Sequence, residues 1–81
     1  MAVPILLPEL GENAGPLRVS CWLADPGDSL EEGDRVVEVL LLGVTFDVCA
    51  PATGVLIAIA QANDAEVAPG DILGWIDAES T

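Results

Sequence analysis

The side chains that could do chemistry in this 81-residue chain are mostly carboxylates, because the sequence has 14 acidic residues and only two basic ones. The two basic residues are Arg18 and Arg35, and the sequence contains no lysine, histidine or tyrosine. Histidine is the usual general base near neutral pH, and lysine is the usual amine nucleophile. The missing residue types argue against a hydrolase or transferase centre, and we expect no enzymatic activity from this domain.

One acidic stretch has the residue types of a calcium site. Its five carboxylates are Asp25, Asp28, Glu31, Glu32 and Asp34. A dedicated calcium loop places its oxygen ligands at regularly alternating positions, and this stretch lacks that order. Proline and glycine beside the carboxylates are typical of turns. We interpret these residues as solvated turn residues, and the sequence predicts no metal site.

The two cysteines, Cys21 and Cys49, each fall within a predicted β-strand. A free cysteine in such a position commonly behaves as a small buried hydrophobe. A single pair is weak support for a disulfide, and no secretory leader pattern precedes the first strand. We therefore predict two buried, reduced cysteines.

The formal net charge of -12 narrows the range of partners. A phosphate backbone or an anionic membrane surface would repel such a chain. The longest apolar run is interrupted by Gly43 and Asp47 and is too short for a membrane span. We expect a cytoplasmic domain that binds neither nucleic acid nor membrane and whose partner is a protein.

The elements that must position any site are β-strands, and the clearest of them form a hairpin over residues 36–51. Apolar and polar residues alternate with a period of two on both arms. The turn is predicted near Gly43, which takes a positive φ without penalty. Clustered apolar residues occupy the tip, where charged or turn-forming side chains are usual, and exposed clusters of this kind are typical of contact sites. These tip residues are Leu40, Leu41, Leu42 and Val44.

An internal repeat relates the two halves of the chain. Residues 30–39 match residues 67–76, with Gly33-Asp34 repeated as Gly70-Asp71. A β-unit this short cannot bury its own apolar face, so two units must pack around a pseudo-twofold axis. The sequence predicts an all-β flattened barrel or sandwich of two small antiparallel sheets, with a bulge near Cys21 and no long helix. The predicted core comprises Val19, Val37, Val39, Phe46, Val48, Ile59 and Leu73, together with Trp22 and Trp75.

Three segments give the chain a family likeness: Pro-Glu-Leu-Gly-Glu at 8–12, Pro-Gly-Asp followed by Gly-Asp within 26–34, and Ala-Pro-Ala-Thr-Gly-Val at 50–55. In this order and spacing they resemble a lipoyl domain of the biotinyl/lipoyl carrier family, the swinging-arm carrier of 2-oxo acid dehydrogenase complexes. The resemblance covers about residues 2–79 as a single domain and leaves 80–81 as a tail. It implies the biotinyl/lipoyl carrier fold.

The resemblance also implies an attachment site that this sequence lacks. In the family the hairpin tip reads Glu-Thr-Asp-Lys-Ala, and lipoate is amide-linked to the lysine. These positions correspond to residues 40–44, so Gly43 occupies the place of the lipoyl lysine. No lysine elsewhere in the 81 residues can replace it. We therefore expect no bound cofactor, although the family implies lipoate.

Two classes of function remain open. The first is a lipoyl-like, non-catalytic and non-lipoylated binding or assembly module that contacts a protein partner through the hairpin tip, where weak self-association is also expected. The alternative is a carrier-type domain of a 2-oxo acid dehydrogenase acyltransferase, or of a biotin-dependent carboxylase system, that has lost its covalent arm. Within a larger chain it would be the carrier domain of a dihydrolipoamide acyltransferase.

Overall fold

The structure, a computed structural model, describes residues 1–9 and 16–78, and every regular element in these ranges is a β-strand. Part of the predicted loop before the second strand, and the tail at 80–81, lie outside the described residues. The strands are β1 (Ala2–Leu6), β2 (Leu17–Trp22), β3 (Ser29–Leu30), β4 (Arg35–Leu41), β5 (Val44–Cys49), β6 (Gly54–Ile59), β7 (Glu66–Val67) and β8 (Ile72–Ala78).

These strands form two antiparallel sheets that pack as a flattened sandwich. Sheet A has the strand order β1-β8-β6-β3, and sheet B has the order β5-β4-β2-β7. The all-β prediction is therefore confirmed, and the arrangement is an open sandwich rather than a closed barrel. No helix in the described part of the chain is long and apolar enough to cross a membrane.

The internal repeat of the sequence corresponds to a pseudo-twofold symmetry of the fold. Strands β2, β3 and β4 recur as β6, β7 and β8, with each bound shifted by 37 positions, from 17 to 54 for example. The irregularities recur as well. The register shift between Val19 and Cys21 on β2 has its counterpart between Leu56 and Ala58 on β6. The predicted pseudo-twofold packing and the predicted bulge are both confirmed.

The core lies between the inner faces of the two sheets. In the described residues it contains no buried polar or charged side chain. Leu30 and Val67, which the sequence shows as isolated apolar residues between turns, form the short strands β3 and β7 and are both 7% exposed. The predicted core residues that are buried are Val19, Val37, Val39, Val48 and Leu73.

Two aromatic residues lie outside the core, so the prediction is wrong for Phe46 and Trp75. Phe46 is half-buried because β5 is an edge strand, where only β4 flanks it. Trp75 is half-buried on the outer face of sheet A, since its neighbour Ile76 takes the inner position. Trp22 and Ile59 are partly buried and do pack against the core.

Core and edge-strand positions should differ in how much stability is lost when a side chain is truncated to alanine. We expect the smaller core residue Leu56 to contribute more stability than the larger edge residue Phe46. Leu56 is 0% exposed, so Leu56→Ala should lower the free energy of unfolding by about 2–5 kcal/mol. Phe46→Ala removes a larger side chain but should cost less, because the ring is already partly hydrated. Urea denaturation of the two variants measures both losses. A larger loss for Phe46→Ala would contradict the position of that ring outside the core.

Candidate functional site at the hairpin tip

The hairpin of β4 and β5 closes through a two-residue turn at Leu42-Gly43. Leu41 and Val44 form the last cross-strand pair, and the φ angles of the turn residues are 50° and 81°. Two successive positive φ values belong to a type I′ turn, whose twist matches that of the flanking strands. The predicted turn position is confirmed. The positive φ of Leu42 was not expected from the sequence, because leucine rarely adopts it.

The apolar residues of the tip face different surroundings. Leu42 is 78% exposed and Val44 is 55% exposed. Leu41 is half-buried and packs against the core. Leu40 is half-buried on the outer face of sheet B, where it pairs with Arg18. Of the four residues predicted as a contact, the two that a partner can reach most fully are Leu42 and Val44, which we call the exposed tip.

Gly43, at the position of the lipoyl lysine in the resemblance, is exposed to solvent. A Cβ atom added there would meet nothing within 4 Å. Among residues 1–9 and 16–78, no group of three or more His, Cys, Asp or Glu side chains is placed to hold a metal ion. The tip therefore offers apolar contact and space for a side chain, without catalytic groups of its own.

Two of the five carboxylates that could suggest a calcium site, those of Asp28 and Asp34, hold backbone turns. The Asp34 carboxylate accepts a hydrogen bond from the backbone amide of Glu31 at 2.9 Å. Its counterpart in the repeat, Asp71, accepts one from the amide of Ala68 at 2.8 Å. Asp28 closes its own turn in the same way. The interpretation as turn residues is thereby confirmed for Asp28 and Asp34.

The two cysteines lie on the outer face of sheet B, so the prediction that they are buried hydrophobes is wrong. Cys49 is exposed because its neighbour Val48 takes the inner position. Cys21 is half-buried, with its Sγ 3.6 Å from the Glu38 carboxylate. Partial burial raises the pKa of the Cys21 thiol, and Glu38 raises it further. Both cysteines are free thiols, and Cys21 is not an activated nucleophile.

Comparison with known proteins identifies relatives of this chain. A family model described as "Biotin-requiring enzyme" matches residues 3–76. The chain is 39% identical over 75 residues to the dihydrolipoyllysine-residue acetyltransferase component of the pyruvate dehydrogenase complex of Mycobacterium tuberculosis. It is 32% identical over 77 residues to the dihydrolipoyllysine-residue succinyltransferase component of the 2-oxoglutarate dehydrogenase complex of Rickettsia conorii. The alignments cover 93% and 95% of this chain but only 14% and 20% of those relatives.

A solved structure has the same architecture. The lipoyl domain of the 2-oxoglutarate dehydrogenase complex from Azotobacter vinelandii superposes with a TM-score of 0.75 at 24% sequence identity. The match covers 96% of this chain and 99% of that domain. The two-sheet fold implied by the sequence resemblance is therefore confirmed.

The backbone of Leu42 generates a prediction about stability. A left-handed conformation costs a residue with a side chain about 1–2 kcal/mol, and asparagine before glycine is preferred in type I′ turns. We expect Leu42→Asn to raise the free energy of unfolding by about 0.5–1 kcal/mol. Leu42→Ala is the control, because it removes the exposed side chain but keeps the strain. Urea denaturation compares them, and a loss of stability in both variants would show that Leu42 packs against the domain.

Proposed function

This chain belongs to the biotinyl/lipoyl domain family, and from that premise we propose that it is a non-lipoylated, non-catalytic member that binds a cytoplasmic protein partner. The observation that carries the proposal is the turn at Leu42-Gly43, where glycine stands in the acceptor position and the 81 residues contain no lysine. An amide link to lipoate needs a side-chain amine on a protruding turn. The carrier chemistry thus has no attachment point in this chain.

The exposed tip supports a role in contact. The side chain of Leu42 is 78% exposed and contributes little to the core, while its backbone adopts an unfavourable conformation. Neither local stability nor core packing therefore accounts for a leucine at this position. Exposed apolar residues grouped at one end of a domain are typical of protein contacts, and Val44 extends the group across the hairpin.

The expected affinity of the exposed tip is low. Burying Leu42 and Val44 against a partner would stabilise the complex by about 1.5–3 kcal/mol each, whereas association costs at least about 4 kcal/mol. One domain would then bind weakly, and several linked copies would bind much more tightly. The relatives named above are components of dehydrogenase complexes. We therefore infer a role in assembly within such a complex, as the carrier-type domain of an acyltransferase that has lost its covalent arm.

Coexpression with a lipoate ligase tests the loss of the carrier role. We expect the intact mass of the domain to stay unchanged, since no side-chain amine is available. Leu42→Asp with Gly43→Lys is the positive control. Aspartate tolerates a positive φ. The space around Gly43 admits a long side chain, although its φ of 81° strains any residue that has a Cβ, so the fold of the double variant is checked first by circular dichroism. A lipoyl mass increase in the unsubstituted chain would refute the proposal, whereas modification of the double variant alone would support it.

Substitution of the exposed tip tests the contact. Leu42→Ser with Val44→Ser should weaken binding to purified pyruvate dehydrogenase complex, measured by surface plasmon resonance, and any self-association, measured by sedimentation velocity. The melting temperature should change by less than about 2 °C, because both side chains are exposed. The control is Leu23→Ser with Val55→Ser, at exposed positions away from the tip. Unchanged association together with a melting temperature several degrees lower would show that the tip packs on its own domain.

A further inference from the structure

The open edges of the two sheets differ in how well they are protected from pairing with another strand. Within the described residues, sheet A ends in β1 and β3, and sheet B ends in β5 and β7. Strands β3 and β7 are two residues long, and Pro4 removes a backbone donor from β1. Short strands and proline commonly prevent an edge from pairing. Strand β5 has six residues and contains neither proline nor a basic side chain, so its edge is the most open of the four.

The register of the hairpin identifies the backbone groups that lie on this open edge. Leu41 and Val44 close a two-residue turn, and a closing pair of this kind exchanges both of its backbone hydrogen bonds. Bonded and non-bonded pairs then alternate along the strands. Thr45 and Asp47 fall in the non-bonded pairs, so their amide and carbonyl groups point away from β4. These groups face the position that a neighbouring strand would occupy.

The inward side chains of β5 are apolar and incompletely covered. Val48 is 6% exposed, Phe46 is half-buried and Val44 is 55% exposed. Exposure rises towards the tip, and β5 has a neighbouring strand on one side only. A second strand beside β5 would therefore cover Phe46 and Val44 from the open side.

A second copy of β5 supplies a strand that fits this edge. Antiparallel pairing of β5 with itself about a twofold axis places side chains of the same face opposite each other. Two registers overlap five of the six residues, one centred on Phe46 and the other on Asp47. The register centred on Asp47 sets two carboxylates directly opposite each other, which is unfavourable. The register centred on Phe46 instead sets Asp47 opposite Thr45 and joins the free backbone groups of these two residues.

The register centred on Phe46 also brings the apolar side chains together. Phe46 lies opposite its own copy in a non-bonded pair, in which the Cα atoms are about 4.5 Å apart, and Val44 lies opposite Val48. Aromatic and β-branched cross-strand pairs stabilise a sheet. Asp47 adds little repulsion, because its carboxylate lies 3.5 Å from the guanidinium of Arg35 in its own chain. The edge is thus complementary to itself in backbone hydrogen bonds, apolar contact and local charge.

We propose that two copies of this chain associate through antiparallel pairing of β5 with β5, in the register centred on Phe46. The two B sheets then form one continuous sheet with four strands from each copy. The pairing occupies the β5 edge of both copies, so the assembly closes as a dimer. This contact uses the edge of the hairpin rather than its turn, and it does not depend on the state of Gly43.

The size of the contact sets the strength of the dimer. Five residues of strand are about 17 Å long and a sheet is about 10 Å thick, which gives roughly 170 Å² per copy. A stable complex buries about 800 Å² per partner, and the net charge of -12 on each copy opposes association. The dimer is therefore weak, and it forms at high concentration or where several copies are linked.

Sedimentation equilibrium over a wide range of concentrations measures the dimer, and ¹⁵N chemical shifts locate it. We expect the largest concentration-dependent shifts at the amides of Thr45 and Asp47, which gain hydrogen bonds in the dimer. Added salt should strengthen the association, because it screens the repulsion between two acidic copies.

Charge substitutions at Thr45 test the register. Thr45→Arg should tighten the dimer about threefold to tenfold, because each arginine then lies opposite Asp47 of the other copy. Thr45→Glu should weaken it by a similar factor. Ala60→Arg and Ala60→Glu make the same charge changes at an exposed position after β6, and their effects should be smaller.

A proline substitution tests the edge hydrogen bonds. Thr45→Pro removes an outward amide and no hydrogen bond to β4, so the variant should fold, as checked by circular dichroism, and should weaken the dimer on the order of tenfold. Thr45→Val is the control, because it keeps the amide and should retain the dimer. Leu42→Ser should also retain it, since Leu42 lies in the turn, outside the paired residues.

Three results would overturn the proposal. The first is a monomer at every concentration up to the limit of solubility. The second is equal effects of the charge substitutions at Thr45 and Ala60, which would mean that net charge alone sets the association. The third is a dimer that Leu42→Ser abolishes and Thr45→Pro leaves intact, which would make the exposed tip the contact. None of these results bears on the lipoylation test, so failure here is distinguishable from failure of the proposed function.

Discussion

Mutual burial of the two inner sheet faces is the interaction on which the rest of the structure depends. Each sheet has four strands, one of them only two residues long, and neither sheet can bury its apolar face alone. The residues in the equivalent bulges of β4 and β8, Val36 and Leu73, are both 0% exposed. The core of the described residues contains no polar side chain. Specific chemistry in this part of the chain is therefore confined to its surfaces, which the core holds in fixed positions.

One contact makes the two repeats complementary rather than interchangeable. The Trp22 ring covers Gly74 of the other sheet, where an added Cβ would lie 2.8 Å from Cη2 of the ring and 2.7 Å from the carbonyl oxygen of Ala58. The indole nitrogen also donates a hydrogen bond to the carbonyl of Gln61 at 2.7 Å. A large side chain in one half thus requires the absence of one in the other. In the repeat, Ile59 corresponds to Trp22 and Val37 corresponds to Gly74, and this second pair does not combine a large ring with a glycine.

The sequence predicted the features that depend on local backbone patterns, and it failed where the answer depends on strand order. Alternation located the hairpin and the bulge near Cys21, because both follow from side-chain period and register. The outward direction of Trp75 was not predicted, since β8 has apolar residues on both faces and Asp77 is its only charged residue. Phe46 was assigned to the core because alternation places it inward but does not reveal that β5 is an edge strand.

At the hairpin tip, the part predictable from sequence was the turn, and the part not predictable was the strain at Leu42. A two-residue type I′ turn between paired strands requires positive φ at both central residues. Gly43 adopts this conformation without a steric penalty, whereas Leu42 does not.

The position of the tip does not depend on an acceptor lysine. The paired strands, from Arg35 and Cys49 to Leu41 and Val44, fix the hairpin. Reciprocal backbone hydrogen bonds of Ala50, with Gly33 at 3.0 Å and Asp34 at 2.7 Å, extend it at its base. These interactions use backbone groups, so the identity of a turn side chain has little influence on them. The attachment residue can therefore be lost while the hairpin remains.

The same separation between scaffold and surface accounts for the contrast between the two outer faces. Backbone pairing is repeated in sheets A and B, whereas three outward positions differ in character: Arg18, Arg35 and Glu38 on sheet B correspond to Val55, Ile72 and Trp75 on sheet A. Substituting an outward residue costs little stability where it does not disturb the core. Binding can then determine which residues occupy the outward positions. Because the two sheets have equivalent backbones, the difference between their outward residues does not arise from the fold.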